Sequence, residues 1–184
     1  MLNKFLRVFD RWRVRGAIAP SSRFLVDKMI SKIDYSHDVE ILQLGFGEGV
    51  FTRRIVQRLT PGSTLVVFEV DPTCRRHHIE DGRVLYVEDS AEHISARFGD
   101  KKFDHIISAL PFASLPKSVS KRIQDEIKVH LKKGGTFLQF QYSLHSKKDI
   151  HGLFDSPVSI DFELFNIPPA FIYETKNGLK EGGV

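Results

Sequence analysis

Val39-Glu-Ile-Leu-Gln-Leu-Gly45-Phe-Gly47-Glu-Gly49-Val-Phe-Thr-Arg53 runs from an apolar stretch, through three alternate glycines, into a helix-like pattern. The spacing predicts a strand, a tight turn and a helix. Glycines belong where side chains would keep a ligand from the backbone, or where the turn needs a positive φ. Glu69 lies twenty residues beyond Gly49, at the end of a second apolar run, Thr64-Leu-Val-Val-Phe-Glu69. An acid there is placed to accept hydrogen bonds from ribose hydroxyls.

Outward from this stretch, strand and helix patterns alternate. Strands are expected at about 39–44, 64–69, 83–88, 103–109 and 134–142, with helices at about 49–59, 72–80, 90–97 and 117–131. That order predicts an α/β fold with a mostly parallel sheet and right-handed crossovers. Gly134-Gly135 reads as a helix stop before the fifth strand. Two further strands, at 158–164 and 170–175, are joined by Asn166-Ile-Pro-Pro169, a connection short enough to make them antiparallel.

The chain has 184 residues, 41% apolar and 27% charged, enough for one domain with a real core. Its one cysteine, Cys74, excludes a disulfide framework and a cysteine-rich metal site. No apolar run reaches the ~20 residues of a membrane span, and the basic N-terminus lacks the apolar region of a signal peptide. The net charge of +4 is uneven: residues 1–32 carry eight basic residues against Asp10 and Asp27, a net +6, so the remainder sums to −2. A basic end on a near-neutral body suggests an anionic partner, a membrane surface or nucleic acid.

Residues 2–15 read as an amphipathic helix. Phe5, Phe9 and Trp12 mark its apolar face, and Lys4, Arg7 and Arg11 its basic one. Such a helix can lie in a bilayer interface; the plainer alternative is a helix packed over its own domain. Pro20 starts a second helix, which Ser21 or Ser22 can cap. Their hydroxyls, with Arg23, are also candidates to border a ligand pocket. The division expected is 1–33 for these N-terminal helices, 34–176 for the main body and 177–184 for a flexible tail. His77-His78 lacks partners at ligand spacing and reads as a solvated helix face, so no metal is expected.

The five-strand alternating unit closed by an antiparallel pair, with Gly-x-Gly-x-Gly after the first strand, resembles class I S-adenosylmethionine-dependent methyltransferases. The supporting signals are Glu69, Asp89 in Val87-Glu-Asp89-Ser-Ala, and Leu110-Pro111-Phe112 after the fourth strand. More narrowly, Gly16-Ala-Ile-Ala-Pro-Ser-Ser-Arg-Phe-Leu25, Glu69-Val-Asp-Pro72, Ser108-Ala-Leu-Pro-Phe112, Gln139-Phe-Gln-Tyr142 and Asn166-Ile-Pro-Pro-Ala170 resemble the soluble bacterial phospholipid N-methyltransferases. That family is also similar to the ribosomal RNA adenine dimethylases.

The resemblance implies S-adenosyl-L-methionine as cofactor and the headgroup amine of phosphatidylethanolamine, or a related aminolipid, as acceptor. It further implies a cytoplasmic protein attached peripherally to the inner face of an anionic membrane. Gly45, Gly47 and Gly49 would let the cofactor approach, Glu69 would hold its ribose, and Asp89 or Ser90 would reach its adenine. Gln43 stands where methyltransferases usually carry an acid. Ala109 stands where the adenine dimethylases carry an Asn that accepts from the target amino group, which argues against adenine chemistry. Tyr142 and the Leu110 carbonyl are candidates to orient the amine, and Phe112, Tyr142 and Tyr173 to surround a methylated ammonium. The rival readings are an RNA methyltransferase, a small-molecule amine methyltransferase, and a binding module that kept the fold without activity.

Overall fold

A computed structural model of the chain describes residues 21–142, 150, 152–154 and 156–178. The expected N-terminal helix, with Lys4, Phe5, Arg7, Phe9, Arg11 and Trp12, lies outside the described residues, as does most of the expected tail. The chain runs α1 (Arg23–Ile30), β1 (Glu40–Leu44), α2 (Val50–Val56), β2 (Thr64–Phe68), β3 (Val84–Val87), α3 (Ile94–Phe98), β4 (Phe103–Ser108), α4 (Lys117–His130), β5 (Leu131–Gln141), β6 (Ser159–Glu163) and β7 (Ala170–Lys176).

The strands form one sheet in the order β3-β2-β1-β4-β5-β7-β6. The first five are parallel, and β7 pairs antiparallel with both β5 and β6. Side chains alternate across each strand, so both faces are apolar and each takes a helical layer. Ile41, Val67, Leu138 and Ile172 face α1 and α2. Leu42, Val66, Ile106 and Phe137 face α3 and α4, where Ile123 and Ile127 are buried. Fully burying one such aliphatic side chain contributes about 1.5–3 kcal/mol. The strand order reverses between β1 and β4, and the crevice at the carboxyl ends of these strands is where open α/β sheets bind ligands.

Three local expectations need correction. The segment expected as a helix at 72–80 is a 3₁₀ turn, Pro72–His77, capped by Asp71, whose side chain accepts from the Thr73 amide. Gly134-Gly135 does not end a helix. The helix stops at His130, and the glycines sit inside β5, where the register with β4 shifts between Phe103 and His105. Gly134 has φ +80°, and a Cβ on Gly135 would sit 2.7 Å from the Asp104 carbonyl oxygen, so the pair forms a bulge that only glycines fit. His78 is not a solvated histidine: its ring stacks on Tyr86 at 3.6 Å and meets Phe46 edge-on.

Candidate active site

The loop after β1 opens the crevice. Gly45, Gly47 and Gly49 all have positive φ. At Gly49 a Cβ would also strike the Phe46 ring at 2.7 Å, so the turn itself demands glycine there. A Cβ on Gly47 would meet nothing within 4 Å, so this stretch of main chain is open to a ligand. Gln43 lies buried beneath the loop. Its amide donates to the Gly45 carbonyl at 2.8 Å and accepts from the Thr52 hydroxyl at 2.9 Å. Both ends of the side chain thus brace the loop against α2.

Glu69, just past β2, faces this loop. One carboxylate oxygen accepts from the amides of Phe46 and Gly47 at 3.0 and 3.1 Å, the other from Val70 and Asp71 at 2.8 and 3.0 Å. Four donors fill the acceptor positions of one carboxylate. The acid therefore links the loops after β1 and β2, and a bound ribose would exchange for some of these donors.

Past β3, Asp89 accepts from His93 Nδ1 and Arg97 Nε, each at 2.8 Å, and from the Ser90 amide at 2.7 Å. Burial pushes its carboxyl up, but the bonds from His93, Arg97 and Ser90 outweigh this and hold it below the usual carboxylate range. Ser90 caps the turn that follows, accepting from the Glu92 amide. Gly45, Glu69, Asp89, Ser90, Ala91 and Leu110 line one cleft.

These residues fit S-adenosylmethionine. An acid stands at the end of β2, open main chain at Gly47, and a second acid at the end of β3 beside an apolar wall of Phe68 and Ala91. The methionine and adenosine parts would lie along this cleft, with the sulfonium supplying an activated methyl.

After β4 the expected acceptor group takes a different form. The Leu110 carbonyl already accepts from the Phe112 amide at 3.0 Å, Gln139 Nε2 at 2.9 Å and Gln141 Nε2 at 3.1 Å. Three donors share its two lone pairs, which leaves none for a substrate ammonium in this arrangement. Gln139 Nε2 also donates to the Phe140 carbonyl at 2.8 Å. Two carbonyls on one amide nitrogen fix the orientation of that amide, and its buried Oε1 has no partner among the described residues. The sequence reading passed over this pair of glutamines as site groups; their alternate positions on β5, both on the Phe137 face, were the available signal.

Tyr142 lies on the opposite face, beside Phe140. Its hydroxyl is buried next to the Asn166 side chain, without a hydrogen bond of ordinary geometry among the described residues. Burial pushes the phenol above its usual pKa, so it is protonated at neutral pH and not a phenolate base. Asn166 is fully buried, donating to the Pro168 carbonyl at 2.7 Å and accepting from the Ser22 amide at 2.8 Å. Ser22 caps α1 through its hydroxyl, accepting from Leu25. Ser21 is half-buried beside it, and Arg23 is exposed with its guanidinium 4.9 Å over the Phe24 ring. Phe112 is buried among Leu110, Leu115 and Val119. Tyr173 has no exposed surface; it sits inside the sheet between Gln139 and Ile160, so it offers a substrate nothing here.

Known proteins share this organisation. The methyltransferase-domain family matches residues 41–135. An ornithine lipid N-methyltransferase of Singulisphaera acidiphila is 29% identical over 98% of this chain and 95% of its own length. Human methyltransferase-like protein 13, solved with S-adenosylhomocysteine, superposes with a TM-score of 0.67 at 14% identity, covering 89% of this chain and 86% of its own. The N-methyltransferase NodS of Bradyrhizobium japonicum, also with S-adenosylhomocysteine, gives 0.62 at 16% identity, covering 83% of each chain. With its fold, its cleft and this family match together, the chain belongs to the methyltransferase-domain family and is a class I S-adenosylmethionine-dependent methyltransferase.

Proposed function

We propose that the chain transfers the sulfonium methyl of S-adenosylmethionine to the headgroup amine of a membrane lipid, phosphatidylethanolamine or an ornithine lipid. The observation that carries this reading is the end-to-end similarity to an ornithine lipid N-methyltransferase, which covers both termini as well as the cofactor half. Ala109 supports it, since a residue with no acceptor side chain follows β4 where adenine chemistry would need one.

The acceptor nitrogen must first lose a proton, because a primary ammonium resembles lysine with a pKa near ~10.4. Its lone pair then forms the N–C bond as the S–CH₃ bond breaks, leaving a thioether and an N-methylated ammonium. No strong base is required of the protein beyond positioning and exclusion of water. Tyr142, neutral and beside the Asn166 side chain, can orient the amine. The expected helix at 2–15 holds the enzyme peripherally on an anionic membrane, at the cytoplasmic face. Among the described residues no helix is long and apolar enough to cross one.

The test is transfer of labelled methyl into vesicles that contain phosphatidylethanolamine or ornithine lipid, with ribosomal RNA in parallel. Label in either aminolipid supports the reading and names the substrate. Label in RNA alone overturns it.

A further inference from the structure

Among the described residues, seven large apolar side chains are left exposed, and five of them gather in one place: Phe24, Phe162, Leu164, Phe165 and Ile167. Leu164, Phe165 and Ile167 are 65, 72 and 81% exposed. They belong to the connection between β6 and β7, and Phe165 meets Phe24 of α1 with ring centroids 5.4 Å apart. Lys28 ties the same helix to this connection, donating to the Phe162 carbonyl at 2.7 Å.

The burial order along this loop is the reverse of a soluble one. Glu163 is buried, Leu164 and Phe165 exposed, Asn166 fully buried, and Ile167 exposed. The polar side chains hold the loop from within. Glu163 accepts from the Phe165 amide at 2.9 Å, while Asn166 binds the Pro168 carbonyl and the Ser22 amide. The apolar side chains are thereby presented outward on a braced turn. A contiguous apolar patch of this kind marks an interaction surface.

We propose that this loop and the start of α1 form a bilayer-docking surface, in which Leu164, Phe165, Ile167 and Phe24 enter the interfacial layer. The proposal rests on the lipid-substrate reading above. Charge selects a bilayer as the occupant. Arg23 lies exposed over the Phe24 ring, and residues 1–20, which precede Ser21 in the sequence, carry five basic residues against Asp10, a net +4. Apolar anchors beside cationic groups are what an anionic lipid interface takes up. The surface is also coupled to the site: Asn166, inside the same loop, lies beside Tyr142. A docked bilayer would therefore bring headgroups to the side of the protein where Tyr142 is buried.

The experiment is sedimentation of the full chain with vesicles of phosphatidylcholine and phosphatidylglycerol, which hold no primary amine, so docking is read apart from turnover. Phe165→Asp/Ile167→Asp is expected to bind about tenfold or more weakly than the unaltered chain. It should keep its melting temperature and its turnover of a short-chain, detergent-dispersed aminolipid. The residual binding of the unaltered chain at raised ionic strength should be markedly lower in the variant, since apolar insertion is not screened. Unaltered vesicle binding by the variant overturns the proposal and leaves the patch to residues 1–20 or to a second copy of the chain. Conversion of a dimer to a monomer by the substitutions, with vesicle binding kept, assigns it to the second copy and equally overturns it. Docking without methylation of any lipid would sink the substrate reading alone.

Discussion

The main-chain amide of Ser22 donates to Oδ1 of Asn166 at 2.8 Å across 144 positions of sequence. This bond fastens the cap of α1 to the loop between β6 and β7. It also joins the two most distinctive stretches of the sequence, around Pro20 and around Pro168, next to Tyr142. Asn166 satisfies two main-chain groups at once from a fully buried position.

Asn166→Ala should therefore leave the Ser22 amide and the Pro168 carbonyl unpaired, at a cost of about 1–3 kcal/mol each when buried. Denaturant unfolding should show the loss, and methyl transfer should fall with it because Tyr142 loses its neighbour. A variant as stable and as active as the parent would show that the bond organises nothing.

Glu69→Gln replaces a carboxylate that takes four main-chain donors by an amide with one oxygen. Its NH₂ would face two of those donors. S-adenosylhomocysteine should bind about tenfold or more weakly in calorimetry, as a charge-assisted pair is lost, and the thermal midpoint should drop. Undiminished ligand affinity would remove Glu69 from the cofactor site and leave it the loop brace alone.

Gln139→Leu removes the side-chain donor to the Phe140 carbonyl and one of three donors to the Leu110 carbonyl in a fully buried setting. The expected result is a lower kcat with KM for S-adenosylmethionine little changed, along with about 1–3 kcal/mol of lost stability. Gln141→Leu, which removes one bond of the three on the Leu110 carbonyl, should show the same pattern more weakly. Equal loss of cofactor affinity in both would point to general collapse of the pocket instead.

His105 supplies a pH dependence. Burial lowers its pKa, Asp104 offsetting part of this, and its Nδ1 is buried without a partner among the described residues. The unfolded chain takes up a proton near ~6.5, the folded chain only at lower pH. Stability is thus unaffected well above that value and falls as pH drops through it. In His105→Leu, the loss of stability between about pH 7.5 and about pH 5.5 should shrink in denaturant titrations. His78, lowered mainly by burial as well, keeps part of the slope.

Much of this fold is legible along the chain. The apolar runs ending at Leu44, Phe68, Val87 and Ser108 are strands, and Gly45-Phe-Gly47-Glu-Gly49 is the loop beside the cleft. What failed was local detail governed by non-local fit. Gly134-Gly135 looks like a helix stop because glycine often ends helices, but the β4–β5 register needed a bulge there. Tyr173 looks like a candidate ligand contact because an aromatic ring can face a methylated ammonium, yet its side chain has no exposed surface.

By itself the sequence determined the alternation of strand and helix, the antiparallel closure and the residue types at the cleft. Periodicity and turn chemistry are local, written in neighbouring residues. Only the tertiary structure decided who meets whom. Gln139 and Gln141 converge with the Phe112 amide on the Leu110 carbonyl, Glu69 gathers four amides from two loops, and Asn166 draws its polar group inward while turning Phe165 and Ile167 out. Such pairings depend on strand order and register, which bring together residues that no periodicity along the chain connects.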